Sequence, residues 1–285
     1  MPVPSDPTTL TACAHAARMA GLRNATSVSY AVYTYGPDWL ESVKGQLWQA
    51  STNDKLNETT SVLVTTVGSR VLSVGLPSDF DHEIRLRAFD GGTDDRGAFQ
   101  VASTVHVQLW SNFSAVASDT LGRYVFTLAG MGAGQYRSIA TYNDSTKFAT
   151  FDSAFTTAPT ATTTGLVASR WWDLNKLELT QGIVTAGRPE RYRMIGTTTE
   201  VEPPSDMLYP ILLFYGANLT RLNDSSYTFV RHLRERYAYW VQGLKVEAMN
   251  QFDDDRYVPQ WEIWQGMLRN YGGKNTQSDR MTFSR

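Results

Sequence analysis

Residue types that could do chemistry are present in the chain, but their spacing decides what they mean. Gly130-Met131-Gly132-Ala133-Gly134 is the most motif-like run. A phosphate-cradling loop needs a Lys-Ser/Thr pair after its glycines, and a dinucleotide site needs Gly-x-Gly-x-x-Gly where a strand enters a helix. Neither pattern is met, and strand-like runs on both sides predict a glycine-rich β-turn. Asp253-Asp254-Asp255 offers carboxylates to a hard cation, yet a calcium loop alternates its ligands around a central glycine and ends in a distal glutamate. A solvated helix end is the expectation there. His15, His82, His106 and His232 form no metal-spaced pair, and no Gly-x-Ser-x-Gly elbow presents a nucleophile. His15, among alanines, reads as a partly exposed helix histidine. Arg188, Arg191 and Arg193 read as a solvated hairpin face, with phosphate or an acidic partner surface as the sharper alternative. None of the 28 acidic residues stands out as a catalytic pair. The expectation is a protein that is not an enzyme and uses no metal or cofactor.

Composition narrows the remaining classes. With 42% hydrophobic and 19% charged residues in 285, the chain can bury a core. A net charge of −2 gives no overall basic field for nucleic acid or anionic lipid. Cys13 is the single cysteine, so no intrachain disulfide forms and a reducing cytoplasm suits folding. Residues 1–9 lack the positive and apolar regions of a secretory signal, and no apolar run is long enough to span a membrane. The six Asn-x-Ser/Thr sequons, starting at Asn24, Asn57, Asn112, Asn143, Asn218 and Asn223, then reflect only a chain rich in Asn, Ser and Thr.

The elements that would position any site are organised around residues 205–250. Leu208, Ile211, Leu212, Tyr215, Leu219 and Leu222 recur at three- and four-residue steps, which predicts a helix. Val230, Leu233, Tyr237, Trp240, Val241, Leu244 and Ala248 predict a second one, antiparallel to the first across a short Asn-Asp-Ser-Ser break. The aromatic surface of this hairpin exceeds what two helices cover, so Tyr209, Phe214, Phe229, Tyr239 and Trp240 are candidates for contact between subunits. Upstream, Asp6-Pro7 opens a helix ending at Gly21. A polar link carries Tyr30, Tyr33 and Tyr35, and Gly36-Pro37-Asp38 starts another helix with Trp39, Leu40, Val43 and Leu47 inward. The two pairs are expected to form a four-helix core.

The remainder reads as β structure around that core. Runs 61–67 and 70–74 predict a hairpin around Gly68-Ser69, and 104–110, 124–128, 136–142 and 148–151 predict strands. Ser169 is expected to cap a short helix carrying Trp171, Leu174 and Leu177. Residues 192–195 and 199–201 form a second hairpin, and 257–268 a last helix. The fold class is therefore α+β: a four-helix-type bundle with β-hairpins and an inserted small all-β domain, a barrel or a sandwich. Residues 1–81 and 169–271 make the helical core, 82–168 the insert, and 272–285 a flexible arm. In that arm Gly272-Gly273 uncouples the segment from the last helix, Met281 and Phe283 supply apolar anchors, and Lys274, Arg280 and Arg285 outnumber Asp279.

Two sets of motifs carry a resemblance. Leu76-Pro77-Ser78-Asp79-Phe80, Gly187-Arg188-Pro189-Glu190-Arg191-Tyr192 and Tyr209-Pro210-Ile211-Leu212-Leu213-Phe214-Tyr215-Gly216-Ala217, in that order, resemble the head-to-tail adaptor (head-completion) proteins of tailed bacteriophages, of the podovirus tail-accessory kind. Gly130 to Ile139, Tyr142-Asn143, Thr146-Lys147 and Ala154-Phe155-Thr156-Thr157-Ala158-Pro159 resemble a β-module recurring in phage virion proteins, with Phe155 where many copies have Trp. The resemblance implies a structural virion protein at the head–tail neck, assembled in the host bacterial cytoplasm. Its copies form a ring, commonly of twelve, which docks under the portal protein and receives the next tail component (nozzle, stopper or tail tube) below. DNA passes through the channel without sequence-specific binding, and no membrane is involved. The family makes portal contact through its C-terminal segment, which assigns docking to Lys274, Arg280, Met281, Phe283 and Arg285. The alternative is a tail or baseplate protein whose β-insert binds a receptor or another tail subunit.

Overall fold

The computed structural model describes residues 8–50, 57–72, 75–177, 185–222 and 227–271, the side chains of Tyr227 and Thr228 excepted. The chain is α+β and divides into two compact units. Residues 1–59, 78–82 and 216–285 make a helical unit, and 60–77 with 83–215 make a β unit. One boundary falls between 82 and 83, and 169–215 are grouped with the β strands.

In the helical unit, α1 (Thr9–Met19) begins at Thr8, whose side chain accepts from the Thr11 amide. α2 runs unbroken from Ala25 to Ala50, capped by Asn24 through the Thr26 amide, with Pro37 inside it. The tyrosine segment expected to be a polar link is therefore its first half. Val28, Ala31, Val32, Gly36, Leu40, Val43 and Leu47 are all buried, and this apolar stripe continues through Pro37 without a phase change. Packing along the stripe outweighs the missing proline N–H. α4 (Tyr227–Glu235) and α5 (Tyr237–Gln251) are separate helices, broken at Arg236, where the expected hairpin had one. α6 (Tyr257–Tyr271) follows the Asp253-Asp254-Asp255 corner. α5 packs on α1, α2 and α6. Gly243 makes the α5 contact close, since a Cβ there would stand 2.9 Å from Val43 and 3.0 Å from Trp264.

The expected first helix of the 205–250 pair is a strand. β14 (Pro210–Ala217) lies second in a four-stranded sheet with order β1-β14-β2-β10, the others being β1 (Glu58–Val64), β2 (Phe80–Asp90) and β10 (Arg170–Asp173). An inner strand covered on both faces needs apolar residues at nearly every position, and seven of its eight are buried. Such a run also satisfies the spacing of a helical stripe. The expected hairpin at 61–74 is absent among the described residues. β1 joins β14 instead, and Val71 makes only a single bridge to Glu200. The expected helix after Ser169 is β10, antiparallel to β2 with Trp171 opposite Phe89 and Asp173 opposite Arg87.

The larger sheet of the β unit has seven strands in the order β3-β9-β6-β7-β8-β5-β4. They are β3 (Arg96–Ala98), β4 (Val101–Ala102), β5 (His106–Gln108), β6 (Tyr124–Ala129), β7 (Tyr136–Asn143), β8 (Phe148–Phe151) and β9 (Thr164–Val167). A four-residue helix, α3 (Ala117–Thr120), interrupts them. Pairing is antiparallel throughout, and the sheet curls into a half-barrel around Phe99, Leu109, Trp110, Phe113, Ile139 and Phe151. Its two ends are consecutive in the chain: Phe99 donates to Thr163 on one side and Gln100 to Gln108 on the other. A second cluster joins this sheet to the four-stranded one, with Phe126, Leu128 and Leu166 against Val62, Val64, Phe89 and Leu212. A third sheet holds β11 (Asn175–Lys176), β12 (Arg191–Ile195) and β13 (Thr198–Glu202), and contains the expected second hairpin.

Candidate interaction surfaces

β2 alternates between its two faces from Arg85 to Ala88. Leu86 and Ala88 point to one face and are fully buried, while Arg85, Arg87 and Phe89 share the other. Phe89 is buried in the cluster between the two sheets, whereas Arg85 is exposed and Arg87 half-buried. Arg87 forms a bidentate pair with Asp173 at 2.7 and 3.1 Å, and its guanidinium lies 3.8 Å from the centre of the Trp171 ring. The same hydrogen bonds hold the Asp173 carboxyl below its ordinary range. Arg85 lies 4.2 Å over the Phe214 ring, and Trp171 is 58% exposed. Stacked guanidinium and aromatic groups of this kind are ordered before any partner arrives, which lowers the entropy lost on binding.

A second surface belongs to the helical unit. Leu10 on α1 and Tyr30 and Tyr33 on α2 are 52%, 63% and 73% exposed, and a groove between the helices is lined by Leu10, Cys13, Val32, Tyr33, Pro37 and Leu40. Cys13 at its floor is buried, and its thiol faces the Gly36 carbonyl at 3.9 Å. Exposed tyrosines on one helix half form the sort of amphipathic area that partners cover.

The remaining residues singled out by their chemistry are held by structural bonds. The Gly130–Gly134 run is a wired turn. Thr127 Oγ1 donates to the Gly132 carbonyl at 2.5 Å, and Gln135 Nε2 donates to Gly132 and Thr157 while its Oε1 accepts from the Thr156 and Thr157 amides. Gly130, Gly132 and Gly134 all have positive φ, which glycine alone adopts without strain. Arg256 binds both carboxylate oxygens of Asp254 and holds its acid down to about 2. Arg193 pairs with Glu200, and Arg188 lies over Trp172. His15 meets the Tyr237 hydroxyl at 3.2 Å. No group of three potential metal-ligating side chains occurs among the described residues. No helix among them is long and apolar enough to cross a membrane.

Of the five residues expected at a subunit contact, Tyr209, Phe229 and Trp240 are buried by the chain itself, and Phe214 and Tyr239 are half-buried. Residues 210–217 form an inner strand, and Phe229 and Trp240 pack against each other. Lys274, Arg280, Met281, Phe283 and Arg285 lie outside the described residues. The sheet platform was missed because Trp171 was placed inside a helix. The signal for a strand is the period of two in Arg85-Leu86-Arg87-Ala88. Compared with known proteins, the chain matches no family model and no curated protein.

Proposed function

We propose that the chain is a structural virion protein, a ring-forming adaptor that joins the portal of a phage head to the tail and surrounds the DNA channel. Its partners on this reading are further copies of itself, in a ring of about twelve by the resemblance alone, the portal protein above and the next tail component below. The helical unit serves as the bundle that builds the ring, and the half-barrel as a domain carried on it. The observation that carries the reading is the exposed face of α1 and α2, where Leu10, Tyr30 and Tyr33 leave more than half of their surface in water. Exposed side chains of this type are stabilised when another protein surface covers them. The order of the adaptor-like motifs supports it further, since they fall just before β2, at the start of β12 and on β14, the segments that frame the β unit.

The test is the mass of the purified full chain in solution, alone and mixed with portal rings. The reading expects a multi-copy closed assembly, or one that forms on portal. A single chain that ignores portal at every concentration overturns it.

A further inference from the structure

Arg85 carries an exposed guanidinium. Its guanidinium lies over Phe214, and it makes no hydrogen bond or ion pair with any described residue. The neighbouring Arg87 is already neutralised by Asp173 and packs on Trp171, which offers its exposed ring beside the open donors. The ligand therefore needs one or two acceptor atoms with the planar fit of a carboxylate, together with apolar surface for the indole. A polyanion fits poorly, because the patch has a single uncommitted charge and an aspartate next to it, whereas nucleic acid is held by many cations at once. The chemistry is that of an acidic, apolar corner on a protein.

This chain carries such a corner between α5 and α6. Asp254 is neutralised by Arg256, but the carboxylates of Asp253 and Asp255, on either side of it, are exposed and have no hydrogen-bond partner among the described residues. Phe252 and Val258, 41% and 61% exposed, flank them. Asp253 sits at φ +49°, a left-handed position that aspartate adopts more readily than most side chains. Resting on the ring-forming reading, we infer that the α5–α6 corner of one copy docks on the Arg85–Trp171 platform of the next. In this contact an aspartate at 253 or 255 accepts from Arg85, while Phe252 and Val258 cover the indole. Corner and platform are different patches, so the contact is heterologous and repeats around a ring when the rotation closes.

The experiment uses the full chain, with assembly followed by light scattering against concentration and, in parallel, on portal rings. Arg85→Glu, Trp171→Ala and the double change Asp253→Lys with Asp255→Lys are each expected to raise the assembly midpoint at least about ten-fold. Combining Arg85→Glu with the two lysines should restore assembly towards wild type, an outcome that misfolding cannot produce. Arg85→Gln, which removes the charge alone, should fall between wild type and Arg85→Glu, and circular dichroism checks that each variant keeps its helices and strands. Wild-type assembly that tolerates Arg85→Glu overturns the platform contact and leaves the ring-forming reading in place. Wild-type chain that stays single, with and without portal, overturns both. Salt-sensitive binding of single-stranded DNA, lost on Arg85→Glu while assembly is unchanged, assigns the platform to nucleic acid and overturns the contact between copies.

Discussion

Trp240 donates its indole N–H to Nδ1 of His232 at 3.1 Å, in the helical unit, where neither side chain has any exposed surface. An indole nitrogen only donates, so Nδ1 must be the unprotonated nitrogen of the ring. The neutral imidazole then carries its proton on Nε2, which faces the Tyr271 hydroxyl at 2.5 Å. One histidine on α4 thus ties α5 to the last turn of α6. Trp240→Phe keeps most of the volume but removes the donor, leaving a buried acceptor unsatisfied at a cost of about 1–3 kcal/mol. His232→Ala removes both bonds and opens a cavity, and is expected to cost more. Urea unfolding followed by circular dichroism checks the order, and equal stability of Trp240→Phe and wild type contradicts the assignment.

Asp90 plays the corresponding part in the β unit. It accepts from Arg96 at 2.7 Å, from Arg170 at 2.9 Å and from the Gly91 amide at 2.7 Å. Arg96 opens β3 and also donates to the Leu208 carbonyl just before β14, so the aspartate joins the half-barrel to the four-stranded sheet. Asp90→Ala leaves a guanidinium with little access to water. The expected loss is about 3 kcal/mol, at the low end for a buried pair because Arg170 is 62% exposed and keeps its hydration. Replacing Arg170 instead should cost under about 1 kcal/mol. Denaturant midpoints of the two variants decide between a buried node and a surface pair.

What was legible beforehand follows from how many constraints each element meets. β6, β7 and β8 are short runs bounded by turns, and the expected ends lie within a residue or two of the observed ones. β14 was not legible, because a strand covered on both sides loses the alternation that identifies strands, and Pro210 excuses itself equally well at a first helical turn. In α2, the tyrosines mask a stripe that is buried where α5 approaches Val43 at Gly243. The sheet platform depends on β10 lying beside β2, a pairing of residues about 80 apart that no local pattern encodes. Asp253 and Asp255 were visible as a charged helix end, but not that Arg256 would neutralise only the acid between them.

The acid limb of stability should contain one recognisable contribution from that corner. The Arg256 hydrogen bonds lower the folded pKa of Asp254 from an ordinary 3.8 to about 2. A depressed carboxylate stabilises the fold above its unfolded pKa, and the contribution is lost as pH falls from there through about 2. Asp173 shifts the same way through Arg87. Wild type should therefore lose thermal stability on acidification between about pH 4 and about pH 2 more steeply than Asp254→Asn, which cannot titrate. Above about pH 5 the two curves should run parallel. Matching slopes on the acid side would show that this pair is not formed in solution.

The last prediction concerns the place where the half-barrel changes pairing partner. Gly97 on β3 and Gly165 on β9 lie opposite each other in the antiparallel ladder. A Cβ on Gly97 would stand 2.4 Å from Cγ of Trp110, and one on Gly165 would stand 2.6 Å from Cζ of Phe99. Both aromatic rings are buried in the half-barrel core, and Trp110 also donates its Nε1–H to the Asp94 carbonyl, so neither ring can move aside cheaply. Ordinary β-strand propensity favours alanine over glycine, which on its own would make either substitution stabilising. The overlap wins, because relieving it means displacing an indole that packs against Phe99 and Phe113. Gly97→Ala and Gly165→Ala should each cost about 1–3 kcal/mol and alter the near-ultraviolet signal of Trp110. Gly122→Ala is a useful contrast, since nothing lies within 4 Å of a Cβ there and its cost comes from φ +77° alone. That variant should leave the aromatic signal unchanged. If Gly97→Ala is as stable as wild type, with an unaltered tryptophan spectrum, the ring does not lie where the core requires it.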